Sequence, residues 1–234
     1  MIKAIISNIL SNKETSLTQA QPALLSLFIL TLGNGLLNTL TTVRLEALGV
    51  DHTTIGVISS VFYAGIVLGA FLTEPYLIKI GYIKAYSSIT SLLAITSIIQ
   101  GLHFSLISWA VIRFISGCCI AGIFIIIESH LVNLSKENNR GKILSIYMVS
   151  LYLSQALGQQ LLKIDVAQQT DLFAISSFFT VISIIPISIT TTMDHKIKNK
   201  PKLNTINIFN YSALGTITCL IGGALQGSVN LIFP

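Results

Sequence analysis

The sequence predicts an all-α integral membrane protein, and three observations carry that reading. Of its 234 residues 52% are apolar and only 10% charged, whereas a soluble domain carries about 25% charged residues. The mean hydropathy is +0.78, too high for a water-soluble globule to cover itself with polar surface. Charge-free intervals recur along the chain at 15–43, 52–73, 85–112, 143–162, 172–193 and 203–234. Each supplies the roughly 20 residues a helix needs to cross about 30 Å of hydrocarbon. The runs are solidly apolar and lack the two-residue alternation of a membrane β-barrel. This apolar content excludes a disordered chain. The net charge of +5 comes from few residues, so no nucleic-acid partner is expected, and the lipid bilayer is the expected surrounding.

Residues 1–21 precede the first span as a cytoplasmic segment. Ile2, Ile5, Ile6, Ile9 and Leu10 fall at helical spacing, which fits an amphipathic helix on the membrane surface; an unstructured tail stays open as the alternative. No short apolar core followed by an A-x-A-like site marks a cleaved signal peptide. Six spans are expected at 22–43, 55–78, 83–100, 104–128, 142–162 and 171–192, forming a unit over 22–192. A basic linker over 193–209 and a seventh span within 210–234 follow. The third and fourth spans share one interval, Ala85–Ile127, whose single charge is Arg113. Its length is about twice a bilayer, so a turn is expected at Gln100-Gly101-Leu102-His103. That break places Arg113 near the membrane centre.

Lysine and arginine in the connections set the orientation. Lys3, Lys13, Lys79, Lys84, Lys136, Arg140, Lys142, Lys196, Lys198, Lys200 and Lys202 fall on one side, Arg44 and Lys163 on the other. Eleven against two predicts a cytoplasmic N-terminus. The segment Lys196–Lys202 reads as a topology anchor.

An ionisable residue inside a bilayer is a functional candidate, because burying it costs about 2.5–3.5 kcal/mol on insertion scales. Arg113 is the best such candidate, with a structural arginine satisfied by its neighbours as the alternative. Asn34 and Asn38, Gln155 and Gln159, and Gln226 and Asn230 are amide pairs four residues apart, so each pair shares a helix face. Such faces turn toward other helices or a wet cavity. The depth of Asn34 and Asn38 makes them the expected partners of Arg113. Gly65 and Gly69, and Gly223 and Gly227, fit the G-x-x-x-G spacing of closely packed helices. Cys118, Cys119 and Cys219 lie in apolar runs without metal-ligand spacing. No G-x-x-x-x-G-K-[ST] loop is present, and Glu128 and His130 are two apart, unlike an H-E-x-x-H zinc site. No enzyme activity, catalytic residue, metal or cofactor is expected.

Two segments carry a family resemblance. Gly69 through Lys84, G-A-F-L-T-E-P-Y-L-I-K-I-G-Y-I-K, resembles the loop between helices 2 and 3 of the major facilitator superfamily, G-x-x-x-D-[RK]-x-G-[RK]-[RK]. Gly81 aligns with the glycine, Lys79 with the preceding basic position, and Lys84 falls close after it. Ile78 stands where the family has its acid, and Glu74 lies one turn earlier. The second segment, Arg113-Phe-Ile-Ser-Gly117, then Glu128-Ser-His-Leu-Val-Asn133 and Asn139-Arg140-Gly141-Lys142, resembles the fourth helix and its following loop. The E-S-x-L and N-R-G elements are similar to a branch of bacterial inner-membrane facilitators. The glycine-proline pattern of drug/proton antiporters is absent from 142–162.

The resemblance implies twelve helices in two halves, each of inverted three-helix repeats, with this chain supplying the first half and one further helix. It implies secondary transport of an unidentified small solute by alternating access. Arg113, Asn34, Asn38, Gln155, Gln159, Gln226 and Asn230 would line the cavity. Glu74, Lys79, Gly81, Lys84, Glu128 and Arg140 would form the cytoplasmic gate. A truncated copy is expected to be inactive alone and to need a separate C-terminal half or a second copy of itself. A non-transporting seven-helix receptor or interaction module is the alternative, opposed by the eleven-to-two charge count.

Overall fold

A computed structural model describes residues 2–135, 138–163 and 169–190, with the side chains of 2–17 and 169–170 left aside. The chain divides into compact units Met1–Lys196 and Ile197–Pro234. The seventh span, the linker, Cys219 and the residues Gly223, Gln226, Gly227 and Asn230 lie outside the described residues.

Every regular element among the described residues is helical: α1 (Ile2–Ala47), α2 (His52–Ile80), α3 (Tyr82–Leu102), α4 (Leu106–Leu134), α5 (Arg140–Gln160), a 3-10 turn (Leu161–Lys163), α6 (Gln169–Ile182) and α7 (Ile184–Ile189). The stretches Thr18–Ala47, His52–Ile80, Tyr82–Leu102, Leu106–Leu134 and Asp171–Ile189 are long and apolar enough to cross a membrane. Helix α5 is long enough at 21 residues but less apolar.

The boundaries correct three expectations. Gln100 and Gly101 are not a turn: α3 continues to Leu102, Gln100 is buried, and its Nε2 donates to Thr41 Oγ1 at 3.1 Å. The break falls at 103–105, where Trp109 Nε1 donates to the His103 carbonyl at 3.0 Å. A glutamine with a buried partner on α1 stays in its helix instead of turning out to water. Next, α4 runs to Leu134, so its midpoint moves to Ile120, and Arg113, its eighth residue, sits about 10 Å short of the middle. Lastly, the sixth span breaks at Ser183 into α6 and α7. Pro186 lacks the N–H that would reach Ile182, and its ring crowds that carbonyl. Ser26 Oγ donates to the Ser183 carbonyl, and the Tyr86 hydroxyl lies 2.7 Å from Ser26 Oγ. A proline inside an apolar run thus costs less where a neighbouring hydroxyl bonds a carbonyl beside the break.

The packing has an internal two-fold pattern. Helix α2 lies along α4 as α5 lies along α1, α3 packs on α4 as α6 packs on α1, and α3 meets α6. Exchanging α1–α3 with α4–α6 leaves this pattern unchanged, as expected of two three-helix repeats. Helices α1 and α4 each pack against their own pair of neighbours more closely than against each other.

Two glycine crossings fix the approach of the outer helices. A Cβ on Gly65 would collide with the Phe114 carbonyl and crowd the Cys118 amide; one on Gly117 would collide with the Phe62 carbonyl. At the other crossing a Cβ on Gly158 would meet the Leu32 carbonyl and the Leu36 amide, and one on Gly35 the Gln155 carbonyl at 2.7 Å. Gly117, Phe114 and Cys118 correspond to Gly35, Leu32 and Leu36 at one constant offset; Gly65 and Phe62 correspond to Gly158 and Gln155 at another. The backbones therefore cross in equivalent registers.

Candidate functional site

The start of α4 is held by aromatic packing. Trp109, buried, meets Phe104 and Phe173 edge-on with centroids 5.4 and 5.8 Å away. One turn on, and therefore on the same face, Arg113 points into the space between α4, α1 and α2. Its Nη2 donates to Asn38 Oδ1 at 2.9 Å, and its Cζ stands 4.3 Å from the centroid of the Phe62 ring. This is the contact expected between the arginine and the first helix. A cation over an aromatic face contributes up to about 2 kcal/mol when desolvated, which offsets part of the cost of burial.

Arg113 is only 5% exposed, yet its Nε and Nη1 have no hydrogen-bond partner among the described residues, and no carboxylate there pairs with it. Around it lies a layer of small polar side chains. Asn34, one turn before Asn38, is buried; Thr96 Oγ1 and Ser116 Oγ are 3.0 Å apart; Gln100 and Thr41 join α3 to α1. Gln155 is half-buried and Gln159 exposed on α5, and neither is bonded to Arg113 among the described residues. The hydroxyls of this layer gave no distinct sequence signal, because Ser and Thr in apolar helices commonly bond their own preceding turn.

At the opposite end of α4, α2 passes into α3 through the single residue Gly81, whose φ of 85° suits glycine. Glu74, Lys79, Lys84, Glu128 and Arg140 are exposed, and no salt bridge joins them among the described residues. The tie here is neutral: Asn133 Nδ2 donates to the Tyr82 hydroxyl at 2.9 Å, and the Tyr82 and His130 rings lie 5.8 Å apart. Neither residue of this bond carries a charge, so no ion-pair spacing in the sequence marks it. An open groove of about 640 Å³ lies between α1, α5 and α7, lined chiefly by Pro22, Leu24, Leu25, Phe28, Pro186 and Ile189. It is at least ten residues along α1 from Asn38 and offers no ionisable side chain.

A membrane bundle of paired three-helix repeats, with a buried cation at the junction of its inner helices, is the architecture of a membrane transport protein. The chain belongs to the Major Facilitator Superfamily, which it matches over residues 23–234. It is 28% identical over 222 residues to an uncharacterized MFS-type transporter, YcaD, of Escherichia coli O9:H4 (strain HS), covering 93% of this chain and 58% of that protein. The YcaD of Escherichia coli (strain SMS-3-5 / SECEC) is 27% identical over the same shares. The chain thus spans a little over half the length of these relatives. Its fold is similar to that of a bacterial homologue of the human lysosomal transporter Spinster, in an inward-facing, unoccupied conformation. The TM-score is 0.59 at 14% identity, with 83% of this chain and 48% of that one covered.

Proposed function

We infer that the chain contributes to secondary transport of a small solute by alternating access. Arg113, Asn34 and Asn38 form this unit's share of the solute pathway, flanked by Gln155 and Gln159. The observation that carries the reading is the Arg113–Asn38 hydrogen bond between the inner helices of the two repeats. A buried cation is costly in a bilayer, and packing alone gives no reason to keep it. Transport requires two units that rock against each other around a central site, so a separate C-terminal half or a second copy is the proposed partner. Glu74, Lys79, Gly81, Lys84, Glu128 and Arg140 are proposed for the gate at the cytoplasmic face of the inner membrane. The lysine and arginine excess of eleven to two supports this orientation.

Sided cysteine labelling tests the reading in intact cells. On a background with Cys118, Cys119 and Cys219 changed to serine, Arg140→Cys should resist an impermeant maleimide added outside. Gln159→Cys should change its labelling rate with the solutes supplied in the medium. Efficient outside labelling of Arg140→Cys would reverse the topology. A Gln159→Cys rate that is constant across a broad solute panel would remove the pathway.

A further inference from the structure

We propose that Arg113 is the counter-charge of a small carboxylate solute, an inference that rests on the transport reading and names its substrate class. Three observations lead there. First, the guanidinium is 5% exposed and uses Nη2 on a neutral amide, while Nε and Nη1 are without partners among the described residues. A buried charge calls for an opposite charge as well as hydrogen bonds.

Second, that charge is not supplied by the surrounding helices. The acids with described side chains, Glu46, Asp51, Glu74, Glu128 and Asp171, sit near helix ends or in connections and are exposed. None forms a salt bridge with Arg113. Third, the amide bonded to the guanidinium has donors to spare. Asn38 turns its Oδ1 to Arg113, which leaves its Nδ2 hydrogens as further donors. A guanidinium beside amide N–H donors matches an oxyanion and rejects a cation; arginine is the side chain best suited to hold a planar carboxylate.

The two-fold pattern sharpens the point. The position equivalent to Arg113 in the first repeat is Thr31, whose hydroxyl donates to the Leu27 carbonyl at 2.7 Å and meets Ser154 Oγ on α5. Equivalent backbone packing is therefore achieved without a cation. The arginine answers to something other than the crossing it sits beside.

Trp109 is the chain's one tryptophan, and it lies one turn from Arg113 as a reporter. The full chain, purified in a non-ionic detergent and a buffer free of carboxylate and phosphate, is titrated with sodium acetate and sodium lactate. Acetamide and ionic-strength-matched sodium chloride serve as controls. Both carboxylates should shift Trp109 emission saturably, and neither control should. Arg113→Lys keeps the charge but not the planar fork, and should weaken the response about tenfold. Asn38→Asp gives Arg113 an internal carboxylate; it should abolish the response and raise the melting temperature.

Absence of a carboxylate response in the unaltered chain would overturn the proposal. So would an equal response to acetamide, or a carboxylate response that survives Asn38→Asp unchanged. These outcomes are separable from failure of the transport reading. A saturable acetamide response with none to acetate would remove the carboxylate and leave transport standing. A constant labelling rate at Gln159→Cys would remove the pathway without touching the titration.

Discussion

The two glycine crossings, α2 on α4 and α5 on α1, solve one packing problem with different chemistry beside it. In both, glycines let one backbone approach the carbonyls of its neighbour, in registers that superimpose residue for residue. Beside the α1–α5 crossing stands Thr31, bonded to its own turn and to Ser154. Beside the α2–α4 crossing stands Arg113, held to Asn38 and laid over Phe62. The scaffold is thus duplicated and the charge is not. Close packing sets the frame, and the departure from symmetry marks the residue that frame does not need.

Substitutions in the crossings should have the largest effect. Gly65→Ala, Gly117→Ala and Gly158→Ala each drive a methyl group into a facing backbone carbonyl and should cost about 1–3 kcal/mol. Gly35→Ala, where the nearest carbonyl is 2.7 Å from a Cβ, should cost less than any of them. Thermal unfolding in detergent measures the order, and a Gly35→Ala loss equal to that of Gly117→Ala would break the ranking.

A smaller contrast separates the two flanking residues. Thr31→Val removes an interhelical hydrogen bond and should lower stability by about 0.6 kcal/mol. Arg113→Met removes a buried charge along with its bond, so its stability should stay within about 1 kcal/mol of the parent or rise, while the carboxylate response disappears. A large loss of stability in Arg113→Met would recast the arginine as a packing residue.

The smallest expected effect lies outside both crossings, at the start of α2. There the Thr54 hydroxyl and backbone N–H both donate to the Asp51 carboxylate, which holds its pKa below the ordinary aspartate value. Because the folded pKa is the lower one, the contribution is present above the unfolded value and fades as pH falls through the folded one. Unfolding temperatures should therefore carry a constant contribution from Asp51, with no pH dependence arising from it, between about pH 6 and 8. The difference between the parent and Asp51→Ala should shrink only on acidification below about pH 4.

Much of the scaffold was legible because membrane insertion leaves few options. A charge-free apolar run must become a helix, since hydrocarbon satisfies no backbone group, and five such runs are helices long and apolar enough to cross a membrane among the described residues. Gln100 and the sixth span depart from expectation in opposite directions: Gln100 stays in its helix because Thr41 on α1 accepts from its Nε2, whereas the span expected over 171–192 breaks at Ser183, ahead of Pro186.

The sequence by itself determined the class of the protein, the approximate extent of its apolar helices, and the isolation of Arg113 among apolar residues, because apolar length and charge within an apolar run are properties of a segment alone. Tertiary structure decided the rest. Which glycines touch a facing backbone, which of Asn34 and Asn38 accepts from the arginine, and which equivalent position holds a threonine instead all depend on how separate helices are set against each other. Such distances are fixed by packing between segments far apart in the chain, and no single segment encodes them.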